Sequence, residues 1–405
     1  MTRNYVWPDG HWSWPIKVTH KHGMRCDEMF FVGGQVNLTP EGEVLNKGDL
    51  AAQTNAAVDH IETVLGELGA DLEDVVKLVM FYVNDGSVNE REALATLRAR
   101  FKGEVPPAVM PVPLPVLAYP EMVVEIEAIA MRAPDGSRMA RSASNPNTHW
   151  DWPFSHGLRC GEMIFVGAQQ PLDSAGKMIA PGDPVEQARA NIENLRAVLA
   201  GFGADLGDVA RINTFYVGSG TTADWSRAAQ IRGNAFEWPG PVGTGVPVPA
   251  LFPDGMTQRQ EAFAMLGVNG EKLERECVRP DGHWDWPIPV NFQQGVKVGK
   301  MVFIGGQVCQ DHNGVGLHQW QMVRQTVVVM ENIRRVLACY GLSMDDMVKV
   351  NTFYRGGGGY DELHENLSVR SASFSAPGPT TTGIPLAALG IDGLTIEVEG
   401  WAMTS

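Results

Sequence analysis

HWSWP (His11–Pro15), HWDWP (His149–Pro153) and HWDWP (His283–Pro287) mark three successive stretches of one chain. Two tryptophans around a polar residue and running into proline form too rare a string to recur by chance, so the chain reads as three copies of one structural unit. Outward from the motif, each copy continues into an apolar run that reads as a strand: MFFVGGQ (Met29–Gln35), MIFVGAQ (Met163–Gln169) and MVFIGGQ (Met301–Gln307). The glycines at its end predict a bulge or a close approach of another backbone. An amphipathic helix follows. In the second copy Val185, Ala188, Ile192, Leu195, Val198 and Leu199 fall near helical spacing, with Asp183 as N-cap and Gly203 as stop, and the equivalents stop at Gly69 and Gly341. A second strand begins at Val75, Val209 and Met347, and a second helix covers about Asn89–Phe101, Ala223–Phe236 and Asp361–Phe374. Two strands close each copy, ending at Met131, Met265 and Met403, and the aperiodic polar segments Arg132–Asn147 and Leu266–Gly282 read as linkers.

A sheet with two helices on one face leaves its other face apolar and in need of cover. Three such units can cover one another, because a head-to-tail threefold contact closes into a ring. The sequence therefore predicts an α+β protein of three tandem units, 1–135, 136–270 and 271–405, forming an intramolecular pseudo-trimer with a cleft between neighbours.

The bulk composition limits the function classes. With 405 residues, 44% of them apolar, and a net charge of −15, the chain can bury a sizeable core but lacks the clustered Lys and Arg that bind phosphate backbones. No nucleic-acid partner is expected. No stretch reaches the roughly 20 apolar residues that span a bilayer, and MTRNYVWPDGHW has no signal-peptide core. Five cysteines without CxxC spacing suit a reducing cytoplasmic setting.

The string WPFSHGLRCGEMIFVGAQ, followed by QARANIENLRAVLAGFGADLGDVARINTFYV, resembles the YjgF/RidA family. So do GADLEDVVK (Gly69–Lys77) and EIEAIA (Glu125–Ala130) of the first copy. The resemblance covers almost the whole chain three times. It implies a chorismate-mutase-like unit, small-molecule sites at unit interfaces, and hydrolysis of enamines and imines such as 2-aminoacrylate to keto acid and ammonia. It also implies an arginine after a Pro-Ala pair, gripping the substrate carboxylate. Here that position holds Val109, Gly243 and Thr381. The family glutamate that acts on water or the imine nitrogen corresponds to Glu125 and Glu397, whereas the second copy carries Arg259.

Among the residues themselves, an extended HWxWP leader would project His149 with Asp151, and His283 with Asp285, to one face, as a base with its orienting acid or as a satisfied polar patch beside packed tryptophans. The first copy has Ser13 beside His11. Thr244 with Gly245, and Thr381 and Thr382 with Gly383, offer hydroxyls and amides that suit a neutral polar substrate. His20 with His22 and His312 with His318 match no metal-ligand pattern, and no cofactor is expected. Cys26 and Cys160 follow Arg25 and Arg159, which would lower a thiol pKa, but the third copy has Lys297 and Val298, favouring a buried apolar role. Gly356–Gly359 reads as a flexible loop. The combined expectation is a cofactor-independent hydrolase or deaminase acting on an imine, enamine or neutral cyclic amide. Glu397, Glu125 and Thr382 are its catalytic candidates; Thr381, Gly383, Thr244, Gly245, Arg259, His283, Asp285, His149 and Asp151 are its binding candidates. The alternative is a non-catalytic binder of a small metabolite.

Overall fold

Short apolar β-branched runs separated by capped helices become, in the computed structural model of residues 2–404, three copies of the same sheet with its helices. The first unit comprises β1 (Arg3–Val6), β2 (Gly23–Cys26), β3 (Met29–Gln35), α1 (Leu50–Leu68), β4 (Val75–Val83), α2 (Glu90–Arg98), β5 (Ala108–Leu114) and β6 (Val124–Met131). The second repeats it as β7 (Arg141–Ser144), β8 (Gly157–Cys160), β9 (Met163–Gln169), α3 (Pro184–Ala200), β10 (Val209–Val217), α4 (Thr222–Asn234), β11 (Val242–Val248) and β12 (Gln258–Met265). The third does so as β13 (Arg275–Val278), β14 (Gly295–Val298), β15 (Met301–Val308), α5 (Met322–Cys339), β16 (Met347–Arg355), α6 (Asp361–Ala372), β17 (Thr380–Leu386) and β18 (Ile396–Met403).

Each six-stranded sheet has the order β1-β2-β3-β6-β4-β5 or its equivalent. Only the β4–β5 type of pair, joined through the second helix, runs parallel. The caps behave as their side chains dictate: Asp183 accepts from the backbone of Val185 and Glu186, and Gly69 ends α1 at φ 88°. The two linkers are corrected. Each contains a four-residue edge strand, β7 or β13, whose mostly polar and incompletely buried side chains left no apolar alternation to read.

One face of each sheet packs on its helices; the other meets its two sister sheets. Met24, Phe31, Phe165, Phe263, Phe303 and Trp401, drawn from all three units, share this central core. At one end Phe81, Phe215 and Phe353 meet edge to face with centroids 6.0 to 6.4 Å apart. The ring closes head to tail: Lys21 pairs with Thr380, Ser155 with Ala108 and Gln293 with Val242. Each unit's β5-type strand thus lies against the next unit's β3-type strand, and the functional clefts open along these three seams.

Candidate active site

The Gly-Gly-Gln end of the β3-type strand explains why the seams can hold a carboxylate. A Cβ on the first glycine would meet the neighbouring unit's backbone: Gly33 at 2.6 Å from Thr381 O, Gly167 at 3.1 Å from Val109 O, and Gly305 at 3.0 Å from Gly243 O. All three units need that glycine for the strands to approach. The second glycine has a different job. A Cβ on Gly34 would lie 1.8 Å from Glu125 Oε1, and one on Gly306 1.9 Å from Glu397 Oε1. In the second unit this residue is Ala168, and the residue in the glutamate position is Arg259. The register also slips between Val32 and Gln35 where β3 meets β6, so the pair of glycines is both a bulge and a close approach.

Between the second and third units lies a cleft of about 80 Å³, into which Glu397 of β18 projects. Burial, followed by the charge of Glu399, raises its carboxyl to about 8 against the partial compensation of the Gly245 backbone N–H. Opposite stands Arg232 of α4. It is buried and donates to Gln258 Oε1 at 2.8 Å, and among the described residues it has no acidic partner; burial lowers its pKa to about 10. The Tyr216 hydroxyl and Gln310 Oε1, on the same walls, are buried without a hydrogen-bond partner. Trp225, Trp284, Trp286 and Phe292 supply the apolar surface.

The seam between the third and first units repeats the arrangement in about 30 Å³. Glu125 is likewise raised to about 8, by burial and then Glu127, against Lys349 and the Gly383 N–H. Arg370 of α6 faces this cleft, with Nη1 donating to Thr381 Oγ1 and Nε to Asn366 Oδ1, both at 2.9 Å, while its buried Nη2 has no partner. Burial lowers its pKa to about 9. A cation thus faces both clefts although Gly243 and Thr381 hold the family's arginine position. The arginine comes from the second helix of the unit and reaches the threonine that stands in the family's arginine position. Arg98 is its counterpart in the first unit, where it is spent on the carbonyls of Pro153 and Phe101.

At the seam between the first and second units the position equivalent to the two glutamates is closed by an ion pair, while a wider groove of about 730 Å³, lined by Glu90, Arg91, His149, Trp150 and Asp151, lies at the same seam. Arg259 is fully buried and donates to both carboxylate oxygens of Glu90, at 2.8 and 2.9 Å, and to the carbonyls of Pro111 and Phe252. The Tyr82 hydroxyl, equivalent to the unpartnered Tyr216, donates to the same Glu90 at 2.6 Å. Arg259 is thus an interunit ion-pair residue, which corrects its assignment to substrate binding.

Thr382, expected to be catalytic, points the other way along its strand. Its hydroxyl donates to Glu127 at 2.5 Å, inside an axial ring in which each unit's cation meets the next unit's carboxylate: Lys77 with Glu261, Arg211 with Glu399 and Lys349 with Glu127. Thr244, at the equivalent position, accepts from the Gly306 backbone at 3.0 Å. Thr244 nevertheless lines the cleft between the second and third units with Gly245, and Thr381 and Gly383 line the other.

The leaders are not extended strands, so His and Asp do not share a face. His11 and Trp12 both donate to Gln35 Oε1, at 2.8 and 3.1 Å, and His283 and Trp284 to Gln307 Oε1, at 2.7 and 3.0 Å. Asp285 instead faces Arg279, and Asp151 faces Arg91 on the surface beside exposed His149. What the leaders contribute to the open clefts is tryptophan: Trp12 and Trp14 in one, Trp284 and Trp286 in the other. Cys26 and Cys160 are buried, and burial pushes both thiols up to about 11. Among the described residues no group of three His, Cys, Asp or Glu is placed to hold a metal ion, and no helix is long and apolar enough to cross a membrane.

The family described as Endoribonuclease L-PSP matches the chain three times, over residues 16–132, 148–257 and 288–404. The chain belongs to this family. It is the grouping to which the YjgF/RidA resemblance pointed, present as three tandem L-PSP units. A RutC family protein of Pyrococcus abyssi is 33% identical over 125 residues, which are 31% of this chain and 89% of that protein. A protein of Escherichia coli provisionally named reactive intermediate deaminase TdcF is 31% identical over 64 residues, 16% of this chain and 48% of its own. The crystal structure of a chorismatase superposes with a TM-score of 0.57 at 14% identity, covering 82% of this chain and 93% of that one. That last likeness is one of fold and extends across more than a single L-PSP unit.

Proposed function

We propose that the two open clefts hydrolyse a C–N bond of a small compound, with an imine or enamine favoured over a cyclic amide. The observation that carries this reading is the pairing, in each cleft, of a buried glutamic acid raised to about 8 with a buried arginine that has no acidic partner. At neutral pH such a carboxyl is mostly protonated, so it begins as a proton donor and not as a resting base. The carboxyl proton passes to the imine nitrogen, making the carbon electrophilic. Water adds to that carbon, and the carboxylate so formed takes the water's proton, giving a carbinolamine. Proton transfer to its nitrogen and cleavage of the C–N bond release ammonia and the keto compound, with the carboxyl restored.

The provisional deaminase name of TdcF accords with this chemistry, and five cysteines left as thiols accord with a reducing, cytoplasmic setting. Where Arg259 and Glu90 occupy each other, neither group is free for this chemistry. The test generates imino acids in situ from alanine and phenylalanine with an L-amino acid oxidase. Keto acid and ammonia release should exceed the spontaneous rate, and Glu125→Gln with Glu397→Gln should remove the excess. No acceleration by the folded protein removes the proposal.

A further inference from the structure

The two open clefts descend from the same unit but differ where a ligand would touch them. We infer that the cleft between the second and third units is built for a carboxylic acid bearing an aromatic ring, and the one between the third and first units for a short aliphatic acid. This rests on the proposed function for the cleft's use and on separate observations for its ligand.

The charge argument comes first. A buried guanidinium without a counter-ion is costly in a folded chain unless an anion neutralises it when the site is used. Arg232 has one neutral partner, Gln258, whereas its counterpart Arg370 has two, Asn366 and Thr381; Ala228 and Gly243 stand at the equivalent places beside Arg232. The unpartnered Tyr216 hydroxyl is a second donor on the same wall. A carboxylate satisfies both, and a planar fork suits the guanidinium.

The shape argument follows. In the second helix, the residue that follows Asp224, Glu362 or Glu90 is Trp225 in this cleft, Leu363 in the smaller one and Arg91 at the closed position. Trp225 is fixed by its indole N–H donating to Gly390 O at 2.7 Å, and Trp284 by its bond to Gln307. Phe292 completes a slot of rings that are held in place before any ligand enters, which favours a flat aromatic group. The cleft that carries Leu363 in place of Trp225 is also the smaller, about 30 Å³ against about 80 Å³.

The test is binding, so it does not depend on turnover. Phenylacetate, phenylacetamide and acetate are titrated calorimetrically into the full chain. Phenylacetate should bind at least tenfold more tightly than either of the others, Arg232→Gln should remove that advantage, Trp225→Leu should reduce the preference over acetate, and Arg370→Gln should leave phenylacetate binding unchanged. The amide comparison uses the unaltered protein, so it stands even where a variant fails to fold. Equal affinity for phenylacetate and phenylacetamide, dependence on Arg370 in place of Arg232, or binding of none of the probes overturns the inference. Phenylacetate binding without any imine hydrolysis would sink the proposed function and leave this assignment intact.

Discussion

A methyl group on Gly306 would stand 1.9 Å from Oε1 of Glu397, whereas Cβ contacts under 3.0 Å essentially never occur. The backbone at this point is held by the Gly306 N–H bond to Thr244 and by the neighbouring strand against Gly305, so the strand cannot withdraw. The carboxyl must move instead, by roughly 1 Å or more, and a reacting group misplaced by that distance loses on the order of 10²-fold in rate. The assay is imine hydrolysis in a Glu125→Gln background, which leaves only the cleft between the second and third units active. There Gly306→Ala should lower kcat by about 100-fold, and overpacking should lower stability by about 1–3 kcal/mol. The reciprocal change, Ala168→Gly, lies in a unit with no glutamate to accommodate. It should leave kcat unchanged and cost about 0.5–1 kcal/mol as a glycine within a strand. Unaltered turnover in Gly306→Ala would refute the claim that this glycine exists to seat the carboxyl.

The remaining expectations use charge and pH. If Glu125 and Glu397 act first as acids, kcat/KM falls as pH rises through about 8; a rate still rising at pH 9 would reverse their role. Stability has two opposed limbs. The two glutamates have pKa values raised above 4.5 on folding, so their contribution is complete below 4.5 and is lost as pH rises toward 8. Burial lowers His11, His20 and His156 from 6.5 to between about 3 and 4, so their contribution is present above 6.5 and is lost as pH falls toward 3. Denaturant titrations from pH 3 to 9 should show both limbs, and Glu397→Gln should flatten the alkaline one. Glu90→Gln leaves Arg259 buried without its counter-ion and should destabilise the chain by about 3–5 kcal/mol, with imine hydrolysis by the folded fraction unchanged; reduced hydrolysis would show that this seam takes part.

Much of the fold is written locally. The helix of the second unit announces itself through Asp183 and a 3.6-residue apolar spacing, and β4, β10 and β16 start where their apolar runs start, at Val75, Val209 and Met347. The short edge strands β7 and β13 were illegible because RSAS and RECV carry no apolar face. The glutamates are readable from the closing strand, but their protonation depends on burial by a neighbouring unit more than 100 residues away in sequence. Arg232 and Arg370 were missed for a similar reason: an arginine on an amphipathic helix ordinarily faces solvent, and only the ring turns it inward. Two signals were nevertheless present. An arginine recurs ten residues before the β5-type strand in every copy, as Arg98, Arg232 and Arg370, and glycine gives way to Ala168 only where glutamate gives way to Arg259.

The most direct test of the account is the rate of ammonia release from the imino acid of phenylalanine, compared between the unaltered protein and the Glu125→Gln, Glu397→Gln double variant at pH 7. The account predicts acceleration over the spontaneous reaction by the first and, with both proteins folded, none by the second. Equal acceleration by both would contradict it.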